Sequence, residues 1–306
     1  MKHSLKIIII LLSMFFIAQL IGLVVINQYS PETIQVEIQG NITNQTTYNL
    51  PYGMDPPEDA TPASTLISII IAIAIAVIFI LILMKYRAEF FLRAWFFIVV
   101  TLALGIAFNA FLLKLPYSAL IAIIIALPLA ILKLFKRNIY IHNLTELLIY
   151  PGIAAIFVPL LNIWTVVLLL ILISIYDIYA VWHAGFMQKM AEYQIKKLHF
   201  FTGFFVPYLG KEQKDLIKKA KTDQKLKNKK IKINVAILGG GDVVFPIILA
   251  GVVLNTLGLW QAIVINIGAT LALAFLFYIS KKGQFYPAMP FISVGCFVAL
   301  GIAYLI

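Results

Sequence analysis

Residues 170–182 read LILISIYDIYAVW and residues 235–251 read VAILGGGDVVFPIILAG, and each apolar stretch holds a single aspartate, Asp177 and Asp242. An ionisable group at bilayer depth costs roughly 2.5 to 3.5 kcal/mol on insertion scales, and such residues mark functional sites by default. Two of them in one chain point to chemistry.

The setting of these stretches is decided by composition. The chain has 306 residues, of which 62% are hydrophobic and only 12% charged, and its mean hydropathy is +0.98. That is more apolar surface than a soluble core hides, so the chain reads as an all-α polytopic membrane protein. Apolar runs fall at 7–27, 64–83, 90–113, 115–135, 144–161, 164–182, 234–256, 259–280 and 287–306. Each is long enough for a hydrocarbon core of roughly 30 Å, which predicts nine transmembrane helices. Only Lys114, Leu115 and Pro116 separate the third run from the fourth, and Pro151 is expected to interrupt the fifth. The first run has the basic flank of a signal peptide, but its length and the lack of an A-x-A-like site favour a retained span.

The net charge of +11 lies between the apolar runs rather than on one aromatic face, so it argues topology and not nucleic-acid binding. The one cysteine, Cys296, permits no intramolecular disulfide, and His3, His142, His183 and His199 are scattered. Neither a metal centre nor a cofactor site is expected.

Lysines and arginines concentrate on the cytoplasmic side of membrane proteins. When alternate connections are taken together, 23 of the 24 basic residues fall on the side of the N-terminus, and only Lys114 falls opposite. The N-terminus is therefore expected in the cytoplasm and the C-terminus outside. The connection 28–63 agrees, because it carries Glu32, Glu37, Asp55, Glu58 and Asp59, no basic residue, and two glycosylation-type sequons at Asn41 and Asn44. The chain then divides into a six-helix N-terminal membrane bundle (1–182), a basic cytoplasmic loop (183–233) and a three-helix C-terminal part (234–306). The loop's lysine-rich stretch, KEQKDLIKKAKTDQKLKNKK, suits a solvated segment drawn to anionic headgroups.

Helix rise places both aspartates roughly 8 to 12 Å in from the cytoplasmic side, with Asp242 about eight residues into its span. Consecutive spans joined by a cytoplasmic loop run antiparallel, so the two carboxyls are expected to face one cleft. Two carboxyls sharing a site retain one proton between them, which supplies one base to activate water and one acid to stabilise a tetrahedral oxyanion. That is aspartic-protease chemistry. Gly239, Gly240 and Gly241 would each burden a helix interior by about 1 kcal/mol, an expense explained by close backbone approach or a bend. Pro246 allows a kink. Tyr176 is expected on a different helix face from Asp177, for packing or substrate contact. Pro287, Ala288, Met289 and Pro290 are expected to hold backbone extended at membrane depth, where an unwound substrate could pair with it.

Three of these clusters, Tyr176-Asp177, Gly239-Gly240-Gly241-Asp242 and Pro287-Ala288-Met289, fall on the predicted sixth, seventh and ninth helices. In that order they resemble the Tyr-Asp, Gly-x-Gly-Asp and Pro-Ala-Leu signatures of the presenilin and signal peptide peptidase family of intramembrane aspartyl proteases. The resemblance implies a presenilin-like fold of microbial, for instance archaeal, type. It assigns Asp177 and Asp242 as the catalytic pair and Pro287 to Met289 as a site-shaping element. Met289 replaces the family leucine, a volume-conserving swap. Val243 after the second aspartate looks like the signal peptide peptidase branch, while the PAMPFIS stretch resembles presenilin. The loop is shorter than in presenilins, which implies a single chain without obligate subunits. Its substrates would be transmembrane helices of membrane proteins or signal peptides, met within the bilayer of the cell membrane.

Two other readings compete. Intramembrane aspartates also bond neighbouring helices. Paired carboxylates on broken helices also serve proton- or ion-coupled carriers, although no second GGGD-like or PAMP-like copy appears in the first half of the chain. Glu146 is expected to snorkel to the cytoplasmic interface.

Overall fold

The computed structural model describes residues 5–38, 41–54, 56, 61–136, 138–184, 193, 202–208, 234–281 and 286–306. The lysine-rich stretch 211–230 lies outside them. Nine α-helices occur among the described residues: α1 (Leu5–Gln28), α2 (Pro62–Lys85), α3 (Glu89–Leu112), α4 (Ser118–Phe135), α5 (Ile139–Phe157), α6 (Ile163–Tyr179), α7 (Gly240–Thr256), α8 (Leu259–Ile279) and α9 (Met289–Ala303). They follow the nine apolar runs in order. Seven are apolar and long enough to cross a membrane, α6 by running on through a π-helical turn to His183, and α7 and α9 are shorter.

The chain is not purely helical. Strands β1 (Glu32–Ile38) and β2 (Asn41–Thr47) pair antiparallel in the first connection and include both sequon asparagines. Strands β3 (Gly203–Tyr208) and β4 (Asn234–Gly239) form a second antiparallel pair, with Gly203 opposite Gly239. The span expected from residue 234 therefore starts as a strand, and its helix begins six residues later, at Gly240. Continuous apolarity in NVAILG suits a strand as well as a helix, and its pairing with β3 decides which one forms. At 17 residues α7 is only about 26 Å long, and extended backbone supplies the rest of that run.

Side-chain caps set several boundaries. Asn162 accepts from Thr165 N at 2.9 Å and opens α6, while Thr165 Oγ1 accepts in return from Asn162 N. Asn138 accepts from Tyr140 N at 2.9 Å, which starts α5 at Ile139, five residues ahead of the expected 144. Pro151 does not break α5, because the helix continues through it to Phe157. The orphaned carbonyl is tolerated inside a well-packed bundle.

Helix α1 lies at the centre, packed on α5, α7 and α8, with Phe15, Ala18 and Val25 fully buried. Small residues permit the closest approaches. A Cβ on Gly152 of α5 would stand 2.0 Å from the Ala103 carbonyl oxygen of α3, and one on Gly295 of α9 would stand 2.6 Å from the Gly268 carbonyl oxygen of α8. Without a hydrophobic drive between helices in lipid, such backbone contact is what holds helices together. Helix α9 also leans on α6, and α6 on α7, so the C-terminal end of α6, the start of α7 and the start of α9 converge.

Candidate active site

Asp177 stands in the last turn of α6 and is 6% exposed. The negative end of its own helix would repel a carboxylate, so another element must supply positive potential. The N-terminus of α9 does so. Met289 N donates to Asp177 Oδ2 at 3.0 Å, and the Ala288 N–H also points to this carboxyl. Asp177 thus caps α9 from a different helix, satisfying donors that would otherwise be orphaned. Ser174, one turn earlier, gives its proton to the Leu170 carbonyl and shares a second hydrogen bond with the Ser293 hydroxyl at 2.9 Å, which fastens α6 to α9 again.

This geometry corrects the expectation for residues 287–290. Pro290 lies in the first turn of α9, a position where a missing N–H costs nothing. Extended backbone ends before Ala288, whose φ and ψ are already helical. Pro287 and Met289 are buried, and the groups turned to the site are amide hydrogens bound to Asp177 rather than free carbonyls. Tyr176 projects outward with 37% exposure, on a different face from its neighbour.

Asp242 falls in the first turn of α7, with Gly239 as the N-cap residue. The Gly239 N–H bonds back to the Asp242 carboxyl. A carboxylate there is stabilised by the helix N-terminus, so Asp242 suits its own helix as Asp177 suits α9. The three glycines are consequently not in a helix interior and carry no interior burden. Pro246 lacks the N–H that would bond the Asp242 carbonyl, and Gln19 of α1 donates to the adjacent Val243 carbonyl at 3.0 Å. Asp242 is half-buried, and its carboxyl lies within electrostatic reach of Asp177. Two acids thus stand within electrostatic reach of each other, each beside a helix N-terminus.

The backbone entering α7 is held from α5. Asn143 donates to the Phe205 carbonyl at 2.7 Å and accepts from Phe205 N at 2.9 Å, which occupies the outer edge of β3 as a third strand would. His142 Nε2 lies 2.7 Å from the Gly203 carbonyl oxygen. A carbonyl only accepts, so Nε2 carries the proton and Nδ1, 3.3 Å from Lys133 Nζ, is the acceptor. Pro207 has no donor to offer on that edge. The other edge, that of β4, bears the exposed Val235 and Ile237 and has no strand partner among the described residues.

The family model for signal-peptide peptidase and presenilin aspartyl proteases matches residues 48–306. The chain belongs to this family. By family it is an intramembrane aspartic protease, an integral membrane protein of several spans. The sequence matches no curated protein. Two structures of a presenilin-family intramembrane aspartate protease, in space groups C222 and P2, share the fold with TM-scores of 0.61 and 0.58. Their identities are 18% and 19%, over 97% and 96% of this chain and 98% and 96% of theirs.

Within this presenilin-family chain the three motif glycines are not equivalent. A Cβ on Gly240 would stand 2.8 Å from Tyr150 Cε1, and one on Gly239 would stand 3.1 Å from Asp242 Oδ2. On Gly241 the nearest atom is Phe245 Cε2 at 3.8 Å, ordinary contact. Gly240→Ala should therefore lower proteolysis at least about tenfold by pushing the ring or the start of α7 aside, whereas Gly241→Ala should stay within about threefold of the parent. Peptide-cleavage rates of the two variants check the contrast, and equal rates would refute it.

Sequence reasoning missed the residues on α5. Glu146 does not snorkel: it is 1% exposed and pairs with Lys133 Nζ of α4 at 2.5 Å, with His142 Nε2 at 3.6 Å. The available signal was spacing, because His142, Glu146 and Tyr150 recur every four residues and so share one helix face.

Proposed function

We propose that the protein is an endopeptidase that hydrolyses peptide bonds within transmembrane helices of membrane proteins or signal peptides, with Asp177 and Asp242 as its catalytic pair. The observation that carries this reading is the convergence of the two carboxyls at the starts of α7 and α9. One carboxylate takes a proton from water as the water oxygen attacks the scissile carbonyl carbon. The other carboxyl, protonated, donates to the carbonyl oxygen and stabilises the tetrahedral intermediate, which collapses as a proton passes to the leaving amine. No metal or cofactor is needed for any of these transfers.

A helical substrate must unwind before its peptide bonds are reachable. The β4 edge, rather than residues 287–290, is the place for the extended product of unwinding, since strand addition there runs alongside Gly239 towards Asp242. Asn143 closes the β3 edge, whereas the β4 edge has no strand partner among the described residues.

The test uses purified protein in detergent with a transmembrane-helix peptide. The expected result is cleavage inside the helix. Ion flux through proteoliposomes without proteolysis would favour the carrier reading instead. The lysine and arginine distribution supports an N-terminus in the cytoplasm and a C-terminus outside; the proposed place of the enzyme is the cell membrane and its proposed working form a single chain without obligate accessory subunits. A C-terminal reporter fusion should be active only on the outer side, and cytoplasmic activity would overturn the topology.

A further inference from the structure

Strand β3 begins, next to α7, with the least self-supporting step of its ladder. Gly203 stands opposite Gly239, so neither residue offers a side chain to the other. The pair also makes no ladder hydrogen bond of its own. Gly240 N donates to the Thr202 carbonyl at 3.3 Å in the step before, and Asn143 takes both backbone groups of Phe205 two residues later, so the alternation of an antiparallel ladder turns the Gly203 carbonyl away from β4. With the freest backbone of any residue and no cross-strand contact, a Gly–Gly step holds its place poorly. Precision matters most here. Gly239 is the N-cap residue of α7, and a Cβ on it would stand 3.1 Å from Asp242 Oδ2. Where the start of β3 goes, the first turn of α7 and Asp242 follow.

The missing support comes from α5. His142 Nε2 donates to the outward-facing Gly203 carbonyl at 2.7 Å, and the imidazole meets the Phe205 ring edge-on, with centroids 5.1 Å apart. His142 is itself held. Its Nδ1 accepts from Lys133 Nζ at 3.3 Å, and Lys133 is buried against Glu146. An ammonium facing Nδ1 keeps the imidazole proton on Nε2, the one arrangement that lets the ring donate to a carbonyl.

We propose that His142 is a positioning residue for Asp242: its bond to the Gly203 carbonyl fixes the Gly203–Gly239 step and so the first turn of α7 that carries the acid. The buried Lys133–Glu146 pair sets the tautomer that makes this bond. The assignment rests on the protease reading above and adds a residue outside the three motifs, on a different helix from either aspartate.

His142→Phe removes the donor and keeps a ring against Phe205. The test uses the full chain, purified in detergent and cleaving a transmembrane-helix peptide at a temperature where every variant is folded. The substitution should lower kcat roughly 10- to 100-fold, the range for small misplacements of a catalytic group, with KM within about threefold of the parent. His142→Gln carries an amide nitrogen in place of Nε2 and should bring kcat back to within about threefold. Backbone amides of residues 239–242 should exchange hydrogen faster in the Phe variant and as in the parent in the Gln variant. Asn162→Ala, which uncaps the end of α6 away from Asp177, supplies the comparison: a lower melting temperature with kcat within about twofold. An unchanged kcat in His142→Phe overturns the proposal, as does a Gln variant no better than the Phe variant. A kcat loss shared by Asn162→Ala would reduce the effect to general destabilisation and also overturn it. If the wild type shows no cleavage that depends on Asp177 and Asp242, the protease reading falls and takes this one with it; aspartate-dependent cleavage indifferent to His142→Phe sinks this one alone.

Discussion

Asp177→Ala and Asp242→Ala should each reduce cleavage of a transmembrane-helix peptide by about a thousandfold or more, the upper range for removal of a general acid or base from a site that needs both. The two substitutions differ in what else they remove. Asp177 also accepts the amide hydrogens of Ala288 and Met289, so its loss uncaps α9 and should cost about 0.5 to 2 kcal/mol of stability, as lost helix caps do. Asp177→Asn keeps an acceptor in the same place. It should restore the melting temperature of the alanine variant while leaving peptide cleavage abolished, which separates chemistry from capping. Activity of Asp177→Asn near that of the wild type would end the dyad assignment.

Breaking the Lys133–Glu146 pair should have the largest effect on folding. Both side chains are almost fully buried between α4 and α5, and removal of one partner leaves the other charge uncompensated, at a cost of about 3 to 5 kcal/mol. Glu146→Ala and Lys133→Met should thus each unfold in detergent at clearly lower temperature than the parent. The double variant Lys133→Met/Glu146→Gln should recover most of that loss, because no unpaired charge remains. Additive losses in the double variant would show that the residues act independently.

The parts of the site that could be read from sequence share one property: each stands out against its local background. Asp177 and Asp242 are conspicuous because charge is expensive within an apolar run, and Gly239 to Gly241 because glycine is poor in a helix. Pattern alone misassigned their setting. NVAILG is apolar without a period, and only its pairing with GFFVPY makes it a strand, so Asp242 lies in a first turn rather than deep within a span. The PAMP stretch reads as extended backbone open to a substrate, whereas its Ala288 and Met289 amides bind Asp177. Glu146 was assigned to the interface because its partner, 13 residues away on another helix, has no local mark.

Sequence by itself determined the membrane environment, the nine helical runs in their order and the two acids, because hydropathy and the cost of a lone charge are properties of short segments. Tertiary structure alone decided that β4 precedes α7, that the N-terminus of α9 cradles Asp177, and that the Tyr150 ring stands over Gly240. Each of these depends on a partner distant in the chain, and the energy of a hydrogen bond or a buried contact exists only once folding has brought both partners together.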